Sequence, residues 1–398
     1  RRQSGATCYS VHRLICDDLV LLQACIAPTQ EWETRTKCPM KIAFVSQPFD
    51  IPLPSMGGPG TSIDIWSYNL AQGLIERGYE VIVYGPGSTY GMRLHTEESQ
   101  GIHYRAMRAV RLEQRINEKL KPILVREQRP FKPFYLSSWF SRFYIEQVAR
   151  DLKNQDCQVV QISNFCQFSP TIRRHNPDIS IVVSMHCDWL SQLDAAILAQ
   201  YLESVDLVTG CSDHVSSGAE NRFERLRGRA RTLYNGVDVE RFRIMDDLQK
   251  DARKTIVFVG RVSPEKGIHD LIKAFVTVHD HVPDAYLKII GNYYPTHKSY
   301  IVDVSDDPLV QELAQYYDPQ SMGADSYWDY LHQLVPDHMK DRVEFTGGMP
   351  HDDIVQQMQE AHVFALASLS EAFGIPIVEA MAALVLADNY LINRTNRL

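Results

Sequence analysis

Short apolar runs recur along the chain, and stretches of mixed polarity separate most of them. Residues 42–45 (Ile-Ala-Phe-Val) form the first run, and a loop rich in Pro and Gly follows it. Thr61 and Ser62 can then cap a helix over 62–77, in which Trp66, Leu70 and Leu74 recur at the spacing of one helical face and Gly78 ends the pattern. The next run, 81–84, completes a β-α-β unit, which implies parallel pairing through a right-handed crossover. Runs at 159–162, 179–184, 207–209 and 231–234 continue the series. Residues 235–253 are polar and weakly patterned, as a linker would be. Alternation restarts with 255–260, a helix over 268–278, and strands at 286–290, 343–346 and 363–367, with a helix near 352–359. A polar, tyrosine-rich insertion occupies about 291–334. The pattern predicts an α/β protein with two Rossmann-like, doubly wound domains, 40–245 and 246–398, facing a cleft. Residues 1–39 show no such pattern and read as an extension outside the fold. In open α/β sheets, ligands bind beyond the carboxyl ends of the strands, so chemistry is expected in the loops after them.

Composition narrows the class. The 398 residues suit two or three domains at roughly 100–200 residues each, and 44% hydrophobic content suits a packed core. A net charge of −8 argues against a nucleic-acid partner. Basic residues concentrate only between Arg105 and Lys132. That stretch reads as a solvated face or as a surface for anionic lipid or acceptor. No C-x-x-C pair occurs among the eight cysteines, so zinc is not expected. Cys157, Cys166, Cys187 and Cys211 lie in or beside apolar runs and read as buried thiols of a reducing compartment. No apolar run is long enough to span a membrane. The expected location is cytoplasmic, with peripheral membrane contact as an option.

Three strand-end loops carry candidate chemistry. The first is Ser368-Leu-Ser-Glu-Ala-Phe-Gly-Ile-Pro-Ile-Val-Glu-Ala-Met-Ala382. Pro376 suits a helix start, which leaves Glu371 in the loop and Glu379 in the first turn. Backbone N–H groups at Phe373, Gly374 and Ile375 would face an anion there, and Glu379 could accept from the hydroxyls of a ribose. The second loop, Gly260-Arg-Val-Ser-Pro-Glu-Lys-Gly267, places Arg261 and Lys266 where fixed positive charge would neutralise a diphosphate leaving group. In the third, His186 ends a buried strand. Met56-Gly-Gly-Pro-Gly-Thr61 resembles a phosphate-approach loop but fails as a dinucleotide fingerprint, because Ile63 stands where Gly is needed and no acid ends the second strand. That disfavours a nicotinamide oxidoreductase. Neither a P-loop nor an Asp-x-Asp metal site occurs.

Taken together, these motifs resemble retaining glycosyltransferases of family 4, of the group 1 type with the GT-B fold. Glu371 through Glu379 looks like that family's E-x7-E signature. Val259-Gly-Arg261 with Glu265-Lys-Gly267 resembles its donor-diphosphate loop, Tyr234-Asn-Gly-Val-Asp238 its interdomain turn, and Gly57-Gly58 its N-terminal glycine loop. The resemblance implies a hexosyltransferase that keeps the anomeric configuration, uses no metal or other cofactor, and takes a nucleotide-diphospho-sugar donor. The acceptor would be a sugar, a lipid-linked molecule or another small molecule. Arg261 and Lys266 would hold the phosphates, Glu379 the ribose, Glu371 the transferred sugar or its loop, and Gly58 would line the cleft. His186 would sit near donor sugar and acceptor. Beyond Ala383 the family's pattern is not followed, so the second domain is expected to be truncated. The alternative is therefore a non-catalytic sugar-nucleotide binder or an inactive paralogue.

Overall fold

The computed structural model describes residues 39–48, 53–56, 62–87, 94–108, 132–239, 241–242, 253–383 and 386–388. The expected extension, the glycine loop with Gly58, the first four cysteines, most of the basic stretch and the last ten residues lie outside them. The chain divides into two compact units, Arg1–Asn235 and Gly236–Leu398, so the division falls where the expected linker opens and ten residues before the expected boundary at 245/246.

The first unit is built on an eight-stranded sheet in the order β3-β4-β2-β1-β5-β6-β7-β8. Its strands are β1 (Lys41–Val45), β2 (Glu80–Gly87), β3 (His95–Ser99), β4 (Ile102–Arg108), β5 (Val159–Ser163), β6 (Ser180–Met185), β7 (Leu207–Gly210) and β8 (Ala230–Thr232). All neighbours pair in parallel except β3 with β4. The central strands are buried on both faces, which explains their unbroken apolar runs. The helix Ser62–Ile75 crosses from β1 to β2 and lays Leu70 and Leu74 against Phe44, Val83 and Ile102. It stops two residues before the expected end. Gly78, at φ +83°, donates its N–H to the Ile75 carbonyl and turns the chain into β2.

The second unit holds five parallel strands in the order β11-β10-β9-β12-β13: β9 (Lys254–Val259), β10 (Ala285–Ile290), β11 (Val343–Gly347), β12 (Val363–Ala365) and β13 (Leu386–Asp388). Val257, Phe258, Leu287, Ile289 and Phe364 meet Ile272 and Phe275 of the helix Ile268–His281 in its core. The insertion expected between β10 and β11 is present. It carries short helices, and Val302, Val310 and Leu313 form a small apolar cluster with Leu369.

Two elements depart from the sequence reading. The strands β3 and β4 were not predicted, because the edge strand β3 (His-Thr-Glu-Glu-Ser) is polar throughout and its neighbour β4 (Ile-His-Tyr-Arg-Ala-Met-Arg) mixes apolar with polar positions. Of the basic stretch, Arg105, Arg108 and Lys132 are among the described residues, and two of them have acidic partners. Arg105 bonds Asp151 through Nε and Nη2, and Lys132 pairs with Asp194 at 3.3 Å. Among the later cysteines, Cys166 and Cys211 are buried as expected, while Cys157 and Cys187 are only half-buried.

Candidate functional site

In the second sheet the strand order reverses at β9, which lies between β10 and β12. A doubly wound sheet opens a crevice there, because successive crossovers leave on opposite sides. The loop after β9 carries Arg261 and Lys266, and the loop after β12 carries Glu371, Phe373 and Gly374. Two devices hold these loops together. Gly267 has φ +65°, and a Cβ there would lie 1.9 Å from the Ala367 carbonyl oxygen, so only glycine permits the approach. The Leu369 N–H donates to the Glu265 carbonyl at 2.8 Å.

The charges are paired. Lys266 Nζ donates to Glu371 Oε2 at 2.6 Å, with both side chains under one-fifth exposed. Arg261 Nη2 donates to Glu265 Oε1 at 2.8 Å. Glu265 is 1% exposed. Burial pushes its carboxyl up, but the Arg261 and Lys266 charges and the Ser263 hydrogen bond outweigh burial and hold it below the ordinary range.

The helix after the second loop is Ile375–Ala382. Gly374 opens it in the left-handed region at φ +82°, Pro376 lies in its first turn, and no side chain caps it. Its first N–H groups carry the positive end of the helix dipole. Glu379 was expected in the first turn. The helix starts one residue earlier than Pro376, which puts Glu379 past that turn, where its Oε1 meets His351 Nε2 at 3.2 Å. His351 opens the helix His351–Glu360 after β11 and packs edge-on against the buried Phe242.

The first sheet reverses at β1, between β2 and β5. His186 follows β6 as expected. Its backbone N–H donates to Asn164 Oδ1 at 2.7 Å, and Asn164 Nδ2 donates to Gln47 Oε1 at 3.2 Å. Asn164 holds φ +61°, a conformation that asparagine tolerates better than most residues. The imidazole meets Trp66 edge-on at 4.6 Å. Its Nε2 is enclosed without a hydrogen-bond partner, and burial pushes the group down to about 4.

The structure thus brings together Arg261, Lys266, Glu371, Phe373, Gly374, Ile375 and Glu379 in the second unit and places His186 in the first. Asn164 and His351 were not singled out from sequence. Their only signal was position, each standing shortly after a strand. Thr296, which hydrogen-bonds Glu265, had none.

A pair of Rossmann-like units with these strand orders is the GT-B architecture. Comparison with known proteins agrees. Residues 64–241 match the family model Glycosyltransferase Family 4, and residues 240–387 match Glycosyl transferases group 1. Together, fold and the two successive matches give the chain a GT-B fold in which each part resembles a glycosyltransferase domain. The protein named "Putative glycosyltransferase YtcC" of Bacillus subtilis (strain 168) is 26% identical over 60% of this chain and 57% of its own length. The spore coat protein SA of the same organism is 26% identical over 37% of this chain and 44% of its own. The chain thus spans about half the length of these curated relatives. A trehalose-6-phosphate protein from E. coli, solved with UDP-2-fluoro glucose, superposes with a TM-score of 0.60 at 11% identity, over 86% of this chain and 81% of that one. At that identity the likeness is one of fold.

Proposed function

We propose that this protein is a retaining glycosyltransferase of the hexosyl type, which moves a sugar from a nucleotide-diphospho-sugar to a sugar, lipid-linked or small-molecule acceptor. The observation that carries the reading is the pairing of two cations with two carboxylates at the reversal point of the second sheet, beside an uncapped helix start. Arg261 and Lys266 would take the diphosphate, with the N–H groups at Phe373, Gly374 and Ile375 on its other side. As the sugar–phosphate bond breaks, charge collects on the leaving oxygen. Preorganised positive charge there stabilises that change more than the ground state. Glu371, freed from Lys266 by the incoming phosphates, would orient the transferred sugar. Glu379, steadied by His351, would hold the ribose.

His186, in the first unit, is assigned to the donor sugar and acceptor from motif likeness, and burial keeps its imidazole neutral. Gly58 keeps its place in the proposal from motif likeness alone. Neither a metal nor another cofactor is needed for this scheme. A cytoplasmic location is proposed on the same footing, and no helix among the described residues is long and apolar enough to cross a membrane.

The test is twofold. Calorimetry with UDP-, GDP- and ADP-sugars should show binding by the full chain, weakened about tenfold or more in Lys266→Ala. Product analysis by NMR should then show the anomeric configuration retained. Binding without any turnover would favour the non-catalytic sugar-nucleotide binder, and inversion would end the retaining assignment.

A further inference from the structure

The insertion between β10 and β11 reaches back to both loops of the candidate site. Thr296, near its start, donates its backbone N–H to Ser263 Oγ at 2.9 Å and its hydroxyl to Glu265 Oε1 at 2.9 Å. The Ser263 hydroxyl in turn donates to Glu265 Oε2. Arg261 Nη2 donates to the same Oε1 that Thr296 serves. Further along, the Tyr327 hydroxyl lies 2.8 Å from Nδ1 of the buried His269, the second residue of the helix that follows the Arg261–Lys266 loop. The apolar cluster of Val302, Val310 and Leu313 includes Leu369, two residues before Glu371.

A buried carboxylate is stable only when its charge and its lone pairs are met, and its orientation follows the donors that meet it. For Glu265, one of those donors comes from the insertion. The carboxylate fixes Arg261, whose guanidinium would otherwise be free to swing on an exposed stem. We propose that the insertion positions the donor-diphosphate site, acting through Thr296 on Glu265 and through Glu265 on the Arg261 guanidinium. Thr296 and Glu265 are then positioning residues, while Arg261 touches the ligand. The proposal rests on the donor reading given above.

The experiment titrates the full chain with UDP, GDP and ADP, and with the matching monophosphates, by calorimetry. Four variants are compared with the native chain: Thr296→Val, Thr296→Ser, Glu265→Gln and Arg261→Ala. Thr296→Val keeps the shape and the backbone bond to Ser263 but removes the hydroxyl. It should weaken diphosphate binding about fivefold, the loss typical of one hydrogen bond, and leave monophosphate binding unchanged. Thr296→Ser should restore native affinity, and Glu265→Gln should lose at least as much as Thr296→Val. If Glu265→Gln does not fold, the Thr296 pair decides alone. Native diphosphate affinity in Thr296→Val, alongside a loss in Arg261→Ala, overturns the proposal and leaves the donor reading standing. Native affinity in Arg261→Ala, or no nucleotide binding by the native chain, removes the donor reading and this proposal with it.

Discussion

Gly267 and Glu265 stand two residues apart in one loop and show how single positions govern the site. Any side chain at Gly267 meets the Ala367 carbonyl and also requires a left-handed backbone. Gly267→Ala should therefore cost about 2 kcal/mol or more, and it should weaken nucleotide binding by separating the two loops. Denaturant titration with and without nucleotide checks both effects. Titration is a second consequence at this scale. His186 and His269 are each held down to about 4 by burial, so between about 6.5 and 4 the unfolded chain binds protons that the folded chain does not. Their contribution is fully present above about 6.5 and is lost as pH falls toward 4. Glu265, also depressed, adds to the loss at the acid end. Melting temperature should fall across that window, and His186→Asn should make the fall shallower. An unchanged slope would mean that the imidazole is solvated in the folded chain.

Among the elements, the edge of the first sheet depends on a polar tie. Asp151, on the helix Arg142–Asn154, accepts from Arg105 on β4 through both carboxylate oxygens and from the buried Tyr84 on β2. One side chain thus joins a helix to two adjacent strands. Removing one partner of such a half-buried pair leaves the other's charge unmet, which is worse than having neither. Asp151→Ala should destabilise the protein by about 3 kcal/mol. Chemical denaturation followed by tryptophan fluorescence measures this, and a change below about 1 kcal/mol would show that solvent already carries Arg105. Across the second unit, Leu369→Ala should cost about 2–4 kcal/mol by opening a cavity between the insertion and the loop before Glu371.

For the whole molecule, binding should register where the two loops of the second unit meet. A donor that binds the folded chain alone stabilises it by about 2.7 kcal/mol at one hundred times its dissociation constant. Hydrogen exchange should show the protection concentrated at residues 260–268 and 366–379. Protection confined to other strand-end loops would place the nucleotide elsewhere.

The sequence by itself determined the alternation of strand and helix, the parallel pairing, and the two strand-end loops that hold Arg261, Lys266 and Glu371. It could do so because central parallel strands are buried on both faces and leave unbroken apolar runs, and because glycine and proline mark helix starts locally. The edge strand β3 and its neighbour β4 left no such run, since alternate positions along both meet solvent. Tertiary structure alone decided the partners of the charges. That Lys266 meets Glu371, that Thr296 serves Glu265 and that Asn164 holds the His186 backbone are contacts between residues far apart in the chain. Periodicity carries no information about them, because they arise only when the sheet has set its strand order and brought the loop ends side by side.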